Sequence, residues 1–315
     1  MKLPAFLRTP PPDVALEIGA GRITAARLQF TGRPTVAAHA VEPLPEGAVV
    51  PGLAGPNMPD VGVVGAAARR VLERVAPRAR RVALVVPDTV ARVSLVRFET
   101  VPAKAADLDA LVRWQVKKTT PFALDLALVR YTPGQALPDG GREFVVVVVR
   151  EDVIRQYEQA CAMAGAEAGL VDLASFNFIN AVEAGRERAE GDWLLVHVAP
   201  GYATLAVVRD RVPIFFRNRT EEGEGSLADL VHQTAMYYED RLSGGGFARV
   251  LLAGAGGRDG GGEALRRELS TRLGQPVELA DPRAAAGLAD RIDAAPELLD
   301  ALAPLVGILC RERVA

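Results

Sequence analysis

Two cysteines in 315 residues, Cys161 and Cys310, stand far apart and form no CxxC pair. That excludes a disulfide framework or a zinc finger and fits a reducing compartment. Histidine is nearly as scarce, at three, and neither His39 nor His232 has a second ligand at metal-binding spacing. Positive charge is not in surplus. Against 39 Asp and Glu stand 37 Lys and Arg, a formal charge of −2, which removes the electrostatic basis for nucleic-acid binding. Long apolar runs are missing as well. The most apolar windows, FVVVVV at 144–149 and ALAPLVGILC at 301–310, fall short of the roughly 18–20 residues a bilayer span requires. The opening MKLPAFLRTPPP lacks the apolar centre of a secretion signal. A cytoplasmic chain with no membrane span of its own is the expectation. No GxSxG, HExxH or GxxxxGK[ST] occurs, so nothing supports a hydrolase, zinc-protease or P-loop reading.

What the chain does have is hydrophobic material, 49% of its residues, arranged in two similar passages. The first, VALEIGAGRITAARL at 14–28, reads as strand, glycine turn, strand; the second, WLLVHVAPGYATLAVV at 193–208, has the same shape about 180 residues on. Superposed, Gly21 meets Gly201 and Thr24 meets Thr204, while Glu17 falls on His197. After the first hairpin a strand at 36–41, a Pro/Gly loop, a helix capped by Asp60 and an apolar strand at 82–86 are expected. The second copy continues with a strand at 213–217, a helix capped by Ser226, a strand at 249–253 and a helix at 263–273 closed by Gly274. Between the copies the composition shifts over 89–165. There the pattern predicts strands at 93–98, 126–131 and 144–149. It adds a helix over 107–118 with Leu108, Leu111, Val112 and Gln115 on one face, and a helix over 152–164 that carries Cys161 on its core side.

Glycine turns after strands raise the question of a dinucleotide fold. That fold needs the glycines to open a helix, but Ile23 to Leu28 alternate as a strand and position 24 is Thr. Two facing strand–turn–strand hairpins instead suit a cleft that clamps phosphates with backbone N–H groups. A third turn, Gly254-Ala255-Gly256-Gly257, can lie close to a nucleoside because nothing bulky projects from it. This is the arrangement of actin- and hexokinase-like ATPases; the alternative is ordinary tight hairpins in a β-rich core.

The middle segment narrows the choice. VPAKAADLDALVRWQVKKTTPF at 101–122 carries a Pro, an acidic helix start, the pair Arg113-Trp114 and a helix end running into Pro121-Phe122. Together with RVALVVP at 81–87, GLVDLASF at 169–176 and VLLAGAGGR at 250–258 it closely resembles the type IV pilus assembly protein PilM family. The resemblance implies an α/β, actin-like (duplicated ribonuclease H-like) bilobal fold with an inserted small α+β subdomain, 1C, similar to that of the cell-division protein FtsA. The implied division is a flexible tail at 1–13, subdomain 1A at 14–88, the 1C insert at 89–165, a return to 1A at 166–190, a second lobe (2A/2B) at 191–290 and a C-terminal helix back on 1A at 291–315. It further implies a cytoplasmic scaffold subunit of the pilus inner-membrane platform. Such a subunit binds the short N-terminal tail of the single-pass protein PilN and meets the pilus motor ATPases. An active actin-like ATPase and a type II secretion platform component are the competing readings; the absence of a joined membrane span favours the pilus version.

Departures from the family pattern bear on chemistry. Its first turn usually reads Asp-Ile-Gly-Ser-Ser-Ser-x-Lys; here it is Glu17-Ile18-Gly19-Ala20-Gly21-Arg22-Ile23-Thr24. The second usually opens Asp-Ile-Gly and is here His197-Val198-Ala199. Loss of one acid and lengthening of the other make Mg²⁺ binding doubtful. Glu17, Gly19, Ala20, Gly21, Arg22, Thr24, His197, Gly201, Gly254, Ala255, Gly256 and Gly257 are the expected remnants of a nucleotide site. They suit at most weak, metal-independent binding of ATP or ADP, and Arg22 could equally fill the phosphate position. No catalytic residue is expected. Arg113, Trp114, Pro121 and Phe122 are the candidate partner contacts, in a groove near the 1A/1C junction, against the alternative that Trp114 half-covers the insert's sheet.

Overall fold

Apolar alternation builds the first lobe from a hairpin outward. The computed structural model describes residues 11–138, 140–185, 191–220, 225–257 and 262–311; most of the expected tail and the last four residues lie outside them. Strands β1 (Val14–Ile18) and β2 (Arg22–Gln29) pair antiparallel with Glu17 opposite Thr24, and β3 (Thr35–Pro43) joins β2. Helix α1 (Val61–Val75) starts where the Asp60 side chain accepts the Gly62 N–H, a capping bond that satisfies one orphan donor of the first turn. Strand β4 (Arg81–Val86) then runs parallel to β1.

A separate sheet follows. Strands β5 (Ala91–Phe98), β6 (Ala127–Ala136) and β7 (Arg142–Arg150) pair in the order β5-β7-β6, with α2 (Ala105–Lys117) between β5 and β6 in sequence. The α2 face that packs is set by Val112 and Val116; Gln115, expected on it, is exposed, because the stripe turns toward i+4 from Val112. Helix α3 (Glu151–Met163) was expected to belong to this insert. Its buried side, Val153, Ile154, Tyr157, Ala160 and Cys161, instead joins α1 in the first lobe's core. Burial there pushes the Cys161 thiol up to about 12. Two elements not read from the sequence complete the lobe: strand β8 (Glu167–Leu173), parallel to β4, and helix α4 (Ala174–Ala184).

The second lobe repeats the plan. Strands β9 (Trp193–Ala199), β10 (Tyr202–Arg209) and β11 (Val212–Thr220) form the meander. Helix α5 (Leu227–Arg241) starts with a capping box between Ser226 and Asp229. Strand β12 (Arg249–Ala253), helix α6 (Glu263–Leu273) and the short β13 (Glu278–Leu279) follow. The sheet orders match, β3-β2-β1-β4-β8 against β11-β10-β9-β12-β13. His197 stands opposite Thr204 in the register Glu17 has with Thr24. The duplication in the sequence is therefore a duplication of the fold.

The chain ends by returning to the first lobe. Strand β14 (Gly287–Leu288) pairs with β3, and helix α7 (Pro296–Arg311) lays Leu302, Leu305, Val306, Ile308 and Leu309 against Ala15, Ala26, Leu28 and Val85. Each such aliphatic side chain contributes about 1.5–3 kcal/mol on burial. A mostly apolar helix must be enclosed, and α7 is buried from Leu299 to Cys310. Helices α4 and α7 stand between the two sheets and approach so closely that a Cβ at Gly307 would lie 1.8 Å from the Asn177 carbonyl oxygen.

Candidate functional site: the cleft between the lobes

The first hairpin turn, the second hairpin turn and Gly254 line one cleft of about 590 Å³. Of the residues singled out from the sequence, Glu17, Gly19, Ala20, Gly21, Arg22, His197 and Gly254 line it. Thr24 lies behind, fully buried, its hydroxyl without a hydrogen-bond partner. Gly201 sits at the second turn with φ +83°. That turn also carries Pro200 in the cleft wall, and a proline offers no N–H to a phosphate. In the first turn the Gly19 amide already donates to the Arg22 carbonyl at 3.0 Å, which leaves Ala20 and Gly21 as its donors.

The third glycine turn departs from expectation. Ala255 is buried in the second lobe's core. The amides of Gly254 and Gly256 both donate to the Asp300 carboxylate, each at 2.7 Å, and Gly257 ends the short 3₁₀ turn. Gly254 is required by geometry: at φ +75° a Cβ would come within 1.9 Å of the Val198 carbonyl oxygen. The turn is thus occupied by a side chain of α7, which takes up its donors.

Three residues the sequence reading missed organise the floor: Asp88, Ser175 and Asp300. Asp88 follows β4 and is 1% exposed. Its Oδ1 accepts the Ser175 amide at 3.0 Å. Its Oδ2 accepts the Ser175 hydroxyl, the Thr204 hydroxyl at 2.8 Å and His197 Nδ1 at 3.1 Å. A carboxylate accepts only, so Nδ1 is the protonated nitrogen of His197. The Asp88 amide donates to the Tyr202 hydroxyl at 3.2 Å, and Asn218 donates to Thr204 at 2.9 Å. Burial alone raises a carboxyl pKa. At Asp88 the bond and charge of His197, with the two Ser175 bonds, outweigh burial and hold it below its ordinary range.

Glu17 is the contrast. Burial raises its pKa, with Arg22 pulling partly the other way, and its Oε2 has no hydrogen-bond partner. Burial raises Asp300 too, against the two glycine amides. One signal for Asp300 was available: it is a single acid inside the apolar run LLDALAPLVGILC.

The partner candidates lie elsewhere. Arg113 pairs with Asp109 at 2.8 Å, Pro121 is exposed and Phe122 packs on the small sheet's core. Trp114 is 58% exposed, opposite the packed stripe of α2, with Lys118 Nζ 4.3 Å from its ring centre. None of them lines the groove between the small sheet and the first lobe, about 760 Å³ in volume. That groove is floored by the cross-strand pairs Leu128/Val149, Arg130/Val147 and Thr132/Val145. It faces β8 and the groove side of α4, and Arg211 and Pro213 of the second lobe close it.

A family model described as type IV pilus assembly protein PilM matches residues 15–244. The chain belongs to the PilM family. Among solved structures, this PilM family member is similar to a PilM–PilN type IV pilus biogenesis complex, at TM-score 0.79 and 17% identity over 97% of this chain and 100% of that one. At that identity the likeness is one of fold: the actin-like ATPase fold, in agreement with the duplicated sheets. Weaker likenesses, both at TM-score 0.46, join it to the cytoplasmic domain of EpsL, an inner-membrane component of the Vibrio cholerae type II secretion system (10% identity, 92% and 94% covered), and to the ethanolamine utilization protein EutJ of Carboxydothermus hydrogenoformans (12%, 96% and 90%). No match was found among curated proteins. Among the described residues no helix of this PilM family member is long and apolar enough to cross a membrane.

Proposed function

We propose that this chain is a scaffold subunit of the type IV pilus platform, peripheral at the inner membrane. It holds the short cytoplasmic tail of a PilN-like protein and no longer turns over ATP. The groove carries the reading. Its floor is a sheet face only partly covered by the first lobe, with Leu128, Val147 and Val149 half-buried. One wall is the outer edge of β8, and an extended peptide finds there both side-chain pockets and backbone partners. The expected contacts Trp114 and Phe122 give way to Leu128, Val147, Val149, Leu173 and Phe176.

The cleft supports the loss of turnover. A divalent cation requires several oxygen ligands, but Asp88 is enclosed by hydrogen bonds within the protein and each Asp300 oxygen already accepts a glycine amide. Glu17 is the other acid of the lining, and among the described residues no three acidic, histidine or cysteine side chains come together as a metal site, so Mg²⁺ does not fit and no hydrolytic step follows. The Ala20 and Gly21 amides with Arg22 suit one phosphate group without metal.

Titration calorimetry with the N-terminal cytoplasmic peptide of the PilN-like protein tests the groove: saturable heat at micromolar concentrations is expected. Absence of heat into the high micromolar range refutes it. Phosphate release with Mg²⁺ and ATP is expected at background; turnover of about 1 per second, abolished by Glu17→Ala, refutes the scaffold reading.

A further inference from the structure

Helix α4 presents opposite faces to the cleft and to the groove. Ala174 and Phe178 line the cleft, and Ser175 is bound into the Asp88 cluster beneath it; Phe176, Ile179 and Asn180 line the groove. At a helical 100° per residue these sets point in nearly opposite directions. The helix is also tied to the second lobe at both ends. At its start, Ser175 shares Asp88 with His197 and Thr204. Near its end, Glu183 pairs with Arg211 at 3.1 Å. Between them Phe176 meets Phe216 with ring centres 5.3 Å apart, and Phe178 and Ile179 pack on Trp193, Leu195 and Ala206.

The groove's walls come from both lobes, because Arg211 and Pro213 belong to the β10–β11 hairpin. Strand β10 therefore carries Thr204 toward one end and leads to the groove hairpin at the other. Thr204 and Arg211 are seven residues apart, about 23 Å at roughly 3.3 Å per residue. A turn of the second lobe about the cluster by about 5° would sweep the hairpin through roughly 2 Å on that arm. The backbone of the hairpin is itself constrained: Asp210 and Arg211 hold φ of +48° and +69° without being glycine.

We propose that Asp88, Ser175, His197 and Thr204 are positioning residues for the groove. Their closed cluster fixes the angle between the lobes without any ligand in the cleft, and that angle sets the width of the groove. The proposal rests on the reading of the groove as a peptide site.

The test compares Thr204→Val, which keeps the shape and removes the hydroxyl, with Thr204→Ser, which keeps the hydroxyl. Leu269→Ala, in the second lobe's outer core away from the cluster, serves as a control for loss of stability alone. Affinity for the PilN-like tail peptide is expected to fall about tenfold in Thr204→Val. It should stay within twofold of wild type in Thr204→Ser and in Leu269→Ala even where the latter melts lower. Equal affinities in all four proteins overturn the proposal. Should wild type itself bind no peptide, the reading of the groove fails, and hydrogen exchange in the peptide-free proteins judges the cluster alone. Faster exchange over residues 176–180 and the β10–β11 hairpin in Thr204→Val, but not in Thr204→Ser, upholds it; unchanged exchange overturns it.

Discussion

The two hairpins have one backbone plan and one register, and they use their polar pair in opposite ways. In the second, His197 and Thr204 face each other across β9 and β10 and both bind Asp88. In the first, Glu17 and Thr24 face each other across β1 and β2, and each keeps a buried oxygen with no partner. Duplication reproduces the frame but not the chemistry, because a strand register needs only alternation, whereas a polar cluster needs complementary groups brought from distant segments. Asp88 and Ser175 come from the first lobe and still serve the second hairpin. The polar organisation of the cleft belongs to neither copy.

Removing the shared acceptor should have the largest effect. Asp88→Ala strands a buried imidazole, two hydroxyls and an amide, and a loss of about 3–5 kcal/mol in urea unfolding is expected. A loss below about 1 kcal/mol would mean that the cluster is not what joins the lobes. Next comes His197→Asp, which makes the second turn acidic again and sets a carboxylate against Asp88. Stability is expected to drop by roughly 3 kcal/mol at pH 8 and to recover toward pH 5 as one acid of the pair takes a proton. Magnesium-dependent ATP binding by this variant would break the comparison.

Glu17→Gln sharpens the contrast with the opposite sign. A raised carboxyl pKa means that the protonated form is the comfortable one in the folded state. Its contribution is therefore complete below the ordinary 4.5 and is lost as pH rises through the raised value. The variant is expected to gain roughly 1 kcal/mol at pH 8, from an unpaired oxygen relieved of charge, and nothing near pH 4. Asp88 behaves inversely. Its depressed pKa gives stability that is present above 3.8 and lost as pH falls through the lower folded value. Thermal melts of wild type and Glu17→Gln between pH 3 and 8 separate the two. The smallest effect belongs to Trp114→Ala, with a change within about 0.5 kcal/mol and unaltered peptide affinity, since its ring faces solvent outside the groove.

Local signals reached far into this fold. The Asp60 and Ser226 caps, the stop at Gly274, both hairpins and the separate middle segment were all legible, because each is decided within a few residues by periodicity or capping chemistry. Strand β8 and helix α4 were not read. GLVDLASF changes from strand to helix with no turn residue between, and only packing between two sheets fixes the change. In the cleft, the hairpin residues were found and their partners were not. Asp88 after Pro87 resembles any turn acid, and Ser175 resembles any small residue in a helix start. Their meaning lies in separations of 87 and 109 residues, which no local pattern encodes. The PilM-like middle segment conveyed the family, while its Trp114 stands exposed outside the groove.

The return of the chain to its own beginning also has a history in time. During synthesis, the sheet face that α7 will cover emerges early and stays open until residues 296–311 follow. At about 5–20 residues per second, the interval from Val85 to the end of α7 is roughly 11–45 s. Throughout it Ala26, Leu28 and Val85 present an apolar surface with its proper cover still unmade. The nascent first lobe thus carries an exposed apolar face until α7 is made and packs against it.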